Sequence, residues 1–204
     1  VLVLMHDEDV DRTTDASGSL EQLDWEDVRA LRLDGGDPGD PESLQVPRFS
    51  DTLALSAELG VMLYVDVKTD RLDLVLDAIQ AGPYRRVALV RAGLEDCAWI
   101  EERDPGLMLL PPASDAAALE SAQDAVGPLL IVEMEGGAAD PAFVNLASHA
   151  GVKVQQDVFF PGDAKALYGD YTGWRDYVEA GVFLLQTEYP HLLWEFHDTD
   201  TDIT

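Results

Sequence analysis

Cysteine and lysine are the residues that this sequence contains least of. Its only cysteine is Cys97, and its three lysines are Lys68, Lys153 and Lys165. A single thiol cannot form an internal disulfide, and no His/Cys cluster has the spacing of a zinc site, so a disulfide-stabilised scaffold and a zinc ribbon are excluded. Cys97 lies within GLEDCAWIEE, a predicted helix in which we expect it to be a small buried residue.

Positive charge is scarce throughout the chain. Against 13 Lys and Arg residues stand 40 Asp and Glu residues, and the formal net charge is −27. Nucleic acids and anionic membrane surfaces bind proteins through clustered basic side chains, so both partners are excluded. The acids are dispersed over almost every segment, which together with the few lysines favours a protein from a high-salt environment over an ordinary acidic protein.

Long apolar runs are absent as well. No run approaches the roughly 20 residues that cross a bilayer, so stable membrane insertion is excluded, and no signal peptide is visible. With 204 residues, 47% of them hydrophobic, the chain predicts one globular domain over residues 1–204. Because the first residue is Val1 and not Met, we expect further residues upstream of it; the sequence indicates neither cellular location nor oligomeric state.

Short apolar runs do recur, at regular spacing, with amphipathic segments between them. The runs are VMLYVDVK from Val61, RVALVRA from Arg86, LMLLP from Leu107, PLLIVEME from Pro128, VKVQQDV from Val152 and VFLLQTE from Val182. Helices are predicted around residues 25–31 and 50–59 and over 71–82, 93–104, 114–127, 140–151 and 164–181. Alternating strands and helices predict an α/β protein with parallel strands.

Such a chain either closes into a barrel or stays open as a doubly wound sheet. No G-x-G-x-x-G follows a strand, which disfavours a dinucleotide-binding sheet. Six strand–helix units and one more predicted strand, VLVLM at residues 1–5, fit a TIM-type (β/α)8 barrel that lacks its first one or two strands in this chain.

Four segments, in order along the chain, resemble the glycerophosphodiester phosphodiesterase family. They are MHDEDVDRTTDASGSLEQLDWEDVRAL from Met5, VPRFSDTLAL from Val46, YVDVK from Tyr64 and AGVFLLQTEYPHLL from Ala180. The first contains H-D-x-x-x-x-R-T-T, which is the most specific match. The resemblance implies a metal-assisted hydrolysis of glycerophosphodiesters to glycerol 3-phosphate and an alcohol, with Mg²⁺ or Ca²⁺ as the divalent metal.

This chemistry needs positive charge and a proton donor. A phosphodiester is anionic and its alkoxide is a poor leaving group, so a cation must neutralise oxygen charge while an acid protonates the departing oxygen. By resemblance His6 is one of two catalytic histidines. Asp7 is predicted to orient His6 or to help hold the metal.

The strand YVDVK carries two further candidates. Alternation places Tyr64, Asp66 and Lys68 on one face. By resemblance Asp66 stands where the family has a metal-binding Glu, and Lys68 stands where a Lys contacts the phosphate and takes part in catalysis. A simple ion pair between Asp66 and Lys68 is the alternative.

Two more polar residues, Glu133 and Gln156, lie at the ends of other predicted strands. We predict that both line the substrate pocket; the alternative is that they are solvated side chains at its rim.

The family's His-Arg-Gly, Pro-Glu-Asn-Thr and Glu-x-Asp segments do not occur in this sequence. In the family they hold the second histidine, a phosphate-binding Arg and two metal ligands. We therefore expect a phosphodiesterase that is complete only with upstream residues. Two alternatives remain: a non-catalytic barrel remnant that binds a ligand or partner, and a phospholipase-like enzyme of the same superfamily.

Overall fold

The computed structural model describes residues 1–135 and 137–199. They group into two compact units, Val1–Leu63 with Asp70–Ala88, and Tyr64–Thr69 with the residues from Leu89 onward. Each unit is described by itself below. The expectation of one domain over residues 1–204 stays a prediction.

Within the described residues the chain forms six strands, one in each of the six apolar runs. They are β1 (Leu63–Asp66), β2 (Ala88–Arg91), β3 (Met108–Leu110), β4 (Ile131–Glu133), β5 (Lys153–Asp157) and β6 (Leu184–Gln186). Two three-stranded sheets have the orders β1-β2-β3 and β4-β5-β6, with parallel pairing of β2 to β3, β4 to β5 and β5 to β6. The predicted α/β class with parallel strands is confirmed.

A parallel bridge connects the last strand of one sheet to the first strand of the other. Pro112 pairs with Glu133, the Ala113 N–H donates to the Glu133 carbonyl at 2.8 Å, and the Glu133 N–H donates to the Pro111 carbonyl at 3.0 Å. The six strands therefore follow one another in space in the order in which they occur in the sequence.

Helices occupy the amphipathic segments between the strands. They are α1 (Trp25–Ala30), α2 (Phe49–Leu59), α3 (Leu72–Gln80), α4 (Leu94–Arg103), α5 (Ala116–Val126), α6 (Pro141–His149), α7 (Ala164–Ala166), α8 (Thr172–Glu179) and α9 (Pro190–Thr199). In α3 the buried residues recur every three or four positions, as expected for a helix with one apolar face: Leu72, Val75, Leu76 and Ile79. Within the described ranges, no helix combines the length and the apolarity needed to cross a bilayer.

Two predicted elements differ from the structure. VLVLM is not a strand, because its pairing is limited to an isolated antiparallel bridge between Val3 and Arg48. The segment 164–181, predicted as one helix, is divided between α7 and α8. Gly169 lies between them at φ +76°, and Asp170 accepts hydrogen bonds from the backbone N–H and hydroxyl of Thr172, so the chain turns before α8 begins.

The first unit has a core that supports the loop following His6. Buried Val10, Val28, Leu31 and Val46 form its centre. Val10 is fully buried within the loop itself, so the loop is anchored to the unit through an apolar contact.

In the second unit an apolar cluster lies beneath the carboxyl ends of the strands. Leu89, Leu110 and Ile131 are buried against each other, with Tyr64 and Met108 packed beside them. On β2 and β4 the next residues with the same orientation are Arg91 and Glu133. Charged groups therefore lie directly above an apolar cluster.

A buried carboxylate connects the loop after β5 to the segment after β6. Asp163 is 3% exposed. Its Oδ1 accepts hydrogen bonds from Trp174 Nε1 at 2.9 Å and Thr187 Oγ1 at 2.7 Å, and its Oδ2 accepts one from the Glu188 N–H at 2.8 Å. The polar end of the Q-T-E segment is thus held by one side chain.

Candidate functional site

His6, Asp7 and Arg12 form a hydrogen-bonded chain in the first unit. Arg12 binds both oxygens of Asp7 through two nitrogens of its guanidinium, Nε to Oδ2 at 2.6 Å and Nη2 to Oδ1 at 3.0 Å. His6 Nδ1 contacts Asp7 Oδ1 at 2.5 Å. The Arg12 guanidinium, and after it His6, hold the pKa of Asp7 well below its ordinary value, so this carboxylate is ionised at neutral pH.

The two threonines after Arg12 support the turn that carries this chain of contacts. Thr14 is buried and donates its hydroxyl to the Val10 carbonyl at 2.8 Å, while Thr13 contacts Met5 Sδ at 3.4 Å. Gly18, at φ +122°, accepts from the Val10 N–H and closes the turn. The R-T-T motif therefore has a structural role: Arg12 holds the Asp7 carboxylate, and Thr14 stabilises the turn after His6.

Asp66 and Lys68 lie at the carboxyl end of β1 in the second unit. Lys68 Nζ lies 3.0 Å from Asp66 Oδ2, and the other oxygen of Asp66 is 3.5 Å from Arg91 Nη1. The Asp66–Lys68 ion pair considered in the sequence analysis is therefore present. Lys68 remains 45% exposed, so its ammonium still faces solvent.

Arg91, the last residue of β2, joins acids from separate strands. Its Nε donates to Glu133 Oε2 at 2.7 Å, and its Nη2 lies 3.7 Å from Glu135 Oε1. Together with the contact to Asp66, one guanidinium faces three carboxylates. Arg91 and Glu135 were not among the predicted site residues, although Arg91 is recognisable in the sequence as the charged residue that ends the apolar run RVALVR.

The pKa values of Glu133 and Tyr64 both lie above their ordinary values. Burial raises the pKa of Glu133, while the hydrogen bond from Arg91 acts in the opposite direction. Tyr64 lies nearby, with its hydroxyl 3.4 Å from Glu133 Oε1. Burial and the negative charge of Glu133 raise the pKa of Tyr64, so the phenol stays neutral and remains a hydrogen-bond donor.

On β5 the inward polar residues are Gln155 and Asp157. Gln155 Nε2 donates to Asp157 Oδ1 at 3.0 Å, and Gln155 is the register partner of Glu133. Alternation turns the fully buried Gln156 to the opposite face, where its Nε2 donates to the Ala138 carbonyl at 3.0 Å. Gln155 therefore shares the face of Glu133, and the placement of Gln156 in the substrate pocket stays a prediction.

The described residues do not by themselves fit a divalent metal. Among them, no group of three or more His, Cys, Asp or Glu side chains is arranged to hold an ion. Asp7 accepts from Arg12 with both oxygens, and each oxygen of Asp66 contacts a basic side chain. The two carboxylates predicted to bind metal are thus already paired with cations, in separate units.

The first 77 residues of the chain are similar to a known family. The profile of the Glycerophosphoryl diester phosphodiesterase family matches residues 1–77, which include His6, Asp7, Asp66 and Lys68. Residues 1–77 are therefore similar to that family. Because it is a family of enzymes, the match bears out the prediction of an enzyme. A search of curated proteins gave no match.

Solved structures extend the similarity to nearly the whole chain. A glycerophosphoryl diester phosphodiesterase from Parabacteroides distasonis ATCC 8503 is 16% identical with a TM-score of 0.77, over 97% of this chain and 70% of that one. A glycerophosphodiester phosphodiesterase from Agrobacterium tumefaciens str. C58 is 16% identical with a TM-score of 0.70, over 93% of this chain and 79% of that one. At this identity the similarity shows a shared fold.

The predicted site residues thus lie in both units. His6 and Asp7 are in the first, and Asp66, Lys68, Glu133 and Gln156 are in the second. Within each unit the polar groups contact one another through an arginine, Arg12 in the first and Arg91 in the second.

Proposed function

We propose that this protein is a glycerophosphodiester phosphodiesterase, which hydrolyses glycerophosphodiesters to glycerol 3-phosphate and an alcohol. We further propose that its six strands belong to a (β/α)8 barrel. The observation that carries the proposal is the family match over residues 1–77, which spans the H-D-x-x-x-x-R-T-T and YVDVK segments. The similarity to solved phosphodiesterases over 97% of the chain supports the fold.

The contacts of His6 suit it to proton transfer. Asp7 occupies Nδ1, so Nε2 is the ring nitrogen that exchanges a proton with the substrate. Water adds to phosphorus as the bond to the alcohol oxygen breaks, the imidazolium protonates that oxygen as it leaves, and the neutral imidazole then takes up the proton that the added water releases. Because Arg12 keeps Asp7 ionised, Asp7 orients the ring. In this proposal Asp7 is a positioning residue, not a metal ligand.

Lys68 is the proposed phosphate contact. Its ammonium is about half exposed and is held near the carboxyl end of β1 by Asp66. Such a group binds a phosphate oxygen as a point charge, while Asp66 limits how far the side chain moves. Glu133 is the proposed substrate-facing acid, and Gln156 remains a proposed pocket residue next to Gln155, which shares the face of Glu133.

The requirement for Mg²⁺ or Ca²⁺ is a separate part of the proposal, supported only by the family match over residues 1–77. Because the described residues do not complete a metal site, no step of the reaction is derived through a cation.

The test is release of glycerol 3-phosphate from a glycerophosphodiester by the purified full chain, measured with added Mg²⁺ or Ca²⁺ and again with a chelator. His6→Ala should lower kcat by about 10²-fold to 10⁴-fold, the usual contribution of a general acid or base. His149→Ala is the matched control, because His149 ends α6 and its Nδ1 contacts the Asn145 carbonyl in its own helix. Activity that does not depend on His6 contradicts the proposed mechanism.

The alternatives predict different results in the same assay. A non-catalytic barrel remnant binds the diester, measured by calorimetry, without releasing glycerol 3-phosphate. A phospholipase-like enzyme hydrolyses intact lipid and leaves the deacylated diester unchanged.

A further inference from the structure

Asp157, the last residue of β5, differs from the other acids that end strands in the second unit. Asp66 pairs with Lys68 at 3.0 Å, and Glu133 pairs with Arg91 at 2.7 Å. Within the part of the chain that the structure describes, no basic side chain forms an ion pair with Asp157. Asp157 is partly exposed, so its uncompensated negative charge is accessible to a ligand.

Gln155 lies beside Asp157 on the same face of β5 and is fully buried. Its Nε2 donates to Asp157 Oδ1 at 3.0 Å and to Gln186 Oε1 at 3.5 Å, so its amide lies at the carboxyl ends of β5 and β6. Its Oε1 has no hydrogen-bond partner among the residues that the structure describes. Because buried polar atoms are nearly always hydrogen-bonded, this oxygen points to a donor supplied by a bound molecule.

The carboxylate and the amide oxygen together specify the chemistry of that molecule. The carboxylate favours a positive charge, and the amide oxygen requires a hydrogen-bond donor. A primary ammonium has both, with three N–H groups and one unit of positive charge. A quaternary ammonium has the charge but no N–H group, and a hydroxyl has a donor but no charge. Among the groups that a small alcohol can carry, the primary ammonium therefore fits best.

We propose that Asp157 and Gln155 bind the alcohol portion of the substrate, and that this alcohol is an amino alcohol with a primary ammonium group. This inference rests on the proposed function, because it names the class of diester that the phosphodiesterase prefers. The ammonium donates hydrogen bonds to the Asp157 carboxylate and to Gln155 Oε1. The two residues determine specificity and take no part in breaking the bond to phosphorus.

The charges of the second unit match such a diester. Its phosphate is negative and its ammonium is positive. Lys68, the proposed phosphate contact, follows β1, whereas Asp157 ends β5, so each end of the diester has a group of opposite charge. Asp157 also acts electrostatically on Glu133, whose positive partner Arg91 is already shared with other acids. A diester with a neutral alcohol leaves Asp157 uncompensated, whereas an amino alcohol supplies the missing positive charge.

The experiment compares kcat/KM of the full chain for glycerophosphoethanolamine, glycerophosphocholine and glycerophosphoglycerol at one salt concentration. These diesters carry, in that order, charge with N–H donors, charge without them, and O–H donors without charge. The ethanolamine diester should give the highest value. Asp157→Asn keeps an acceptor for Gln155 Nε2 but removes the charge. It should lower kcat/KM for the ethanolamine diester at least about fivefold more than for the glycerol diester, the factor for two unit charges about 4 Å apart in a water-like dielectric.

A second variant tests the donor, and a third is the control. Gln155→Met removes the unpartnered oxygen and keeps a side chain of similar length. It should lower kcat/KM for the ethanolamine diester by about twofold to tenfold relative to the choline diester, the contribution of one hydrogen bond. Asp124→Asn, on the exposed side of α5, makes the same charge change as Asp157→Asn and should leave the ranking unchanged. Wild-type values that agree within about twofold, or an equal loss for all three diesters in Asp157→Asn, would overturn the proposal.

A binding measurement separates this inference from the proposed function. The NMR signals of the Gln155 side-chain amide should move when ethanolamine is added to the wild type, and should move less in Asp157→Asn. Unmoved signals in the wild type, or equal shifts in the variant, contradict the site. A chain that hydrolyses the three diesters without preference refutes only the amino-alcohol site, whereas the expected shifts in a chain that hydrolyses no diester refute only the phosphodiesterase.

Discussion

Replacing Asp163 should destabilise the second unit by an amount that its hydrogen bonds allow us to calculate. Asp163 accepts three hydrogen bonds, from Trp174, Thr187 and the Glu188 backbone, and Trp174 is fully buried. A hydrogen bond to a charged acceptor contributes about 1.5–3 kcal/mol, and a buried donor left unsatisfied costs about 1–3 kcal/mol. Because the three bonds share one carboxylate and are not additive, we expect Asp163→Ala to lower the free energy of unfolding by about 4 kcal/mol.

A second variant at the same position tests the geometry. Asp163→Asn can keep the oxygen that binds Trp174 and Thr187 but turns an amide N–H₂ toward the Glu188 N–H, so it should cost about 2 kcal/mol. Urea unfolding followed by tryptophan fluorescence measures both values. Asp176→Asn, on the exposed side of α8, makes the same change in net charge and is the control. The reasoning is wrong if Asp163→Asn lies within about 0.5 kcal/mol of that control, which is the usual spread of surface substitutions.

Three further predictions concern the thiol, the buried phenol and the net charge. Burial raises the pKa of Cys97 to about 12, so a thiol reagent should leave the native protein unmodified at pH 8 and react after unfolding; rapid reaction of the native protein would contradict this. Because folding raises the pKa of Tyr64, the free energy of unfolding should fall as the pH rises above about 10, and Tyr64→Phe should remove part of that slope. The net charge of −27 predicts a melting temperature that rises with KCl concentration, and equal values in low and high salt would refute it.

The strands were predictable because each is a short apolar run in a chain that is otherwise dense in acids. All six runs became strands, and the amphipathic segments between them became helices. VLVLM has the same composition, yet its pairing is limited to an isolated bridge between Val3 and Arg48. Local composition indicates that a segment can form a strand. Whether another strand lies beside it to pair with depends on tertiary contacts, which local composition does not determine.

The candidate site was predictable only in part, for a related reason. His6 and Asp7 are neighbours in the sequence, so their contact follows from the motif, whereas Arg91 and Glu133 are brought together from separate strands. Which of the two glutamines shares the face of Glu133 depends on the register of the strand. Two glutamines in succession both satisfy the composition, and only the register of β5 against β4 decides that Gln155 faces Glu133.

The sequential order of the strands has a consequence for how the protein is made. From β1 to β6, each strand lies beside the strand that the ribosome has just synthesised, separated from it by one helical crossover. Each newly synthesised strand can therefore pair with the strand before it without waiting for a distant segment. The loops that must close during folding are then as short as parallel pairing allows. The hydrogen bonds from Thr187 and Glu188 to Asp163 then join the segment after β6 to a loop that is synthesised earlier.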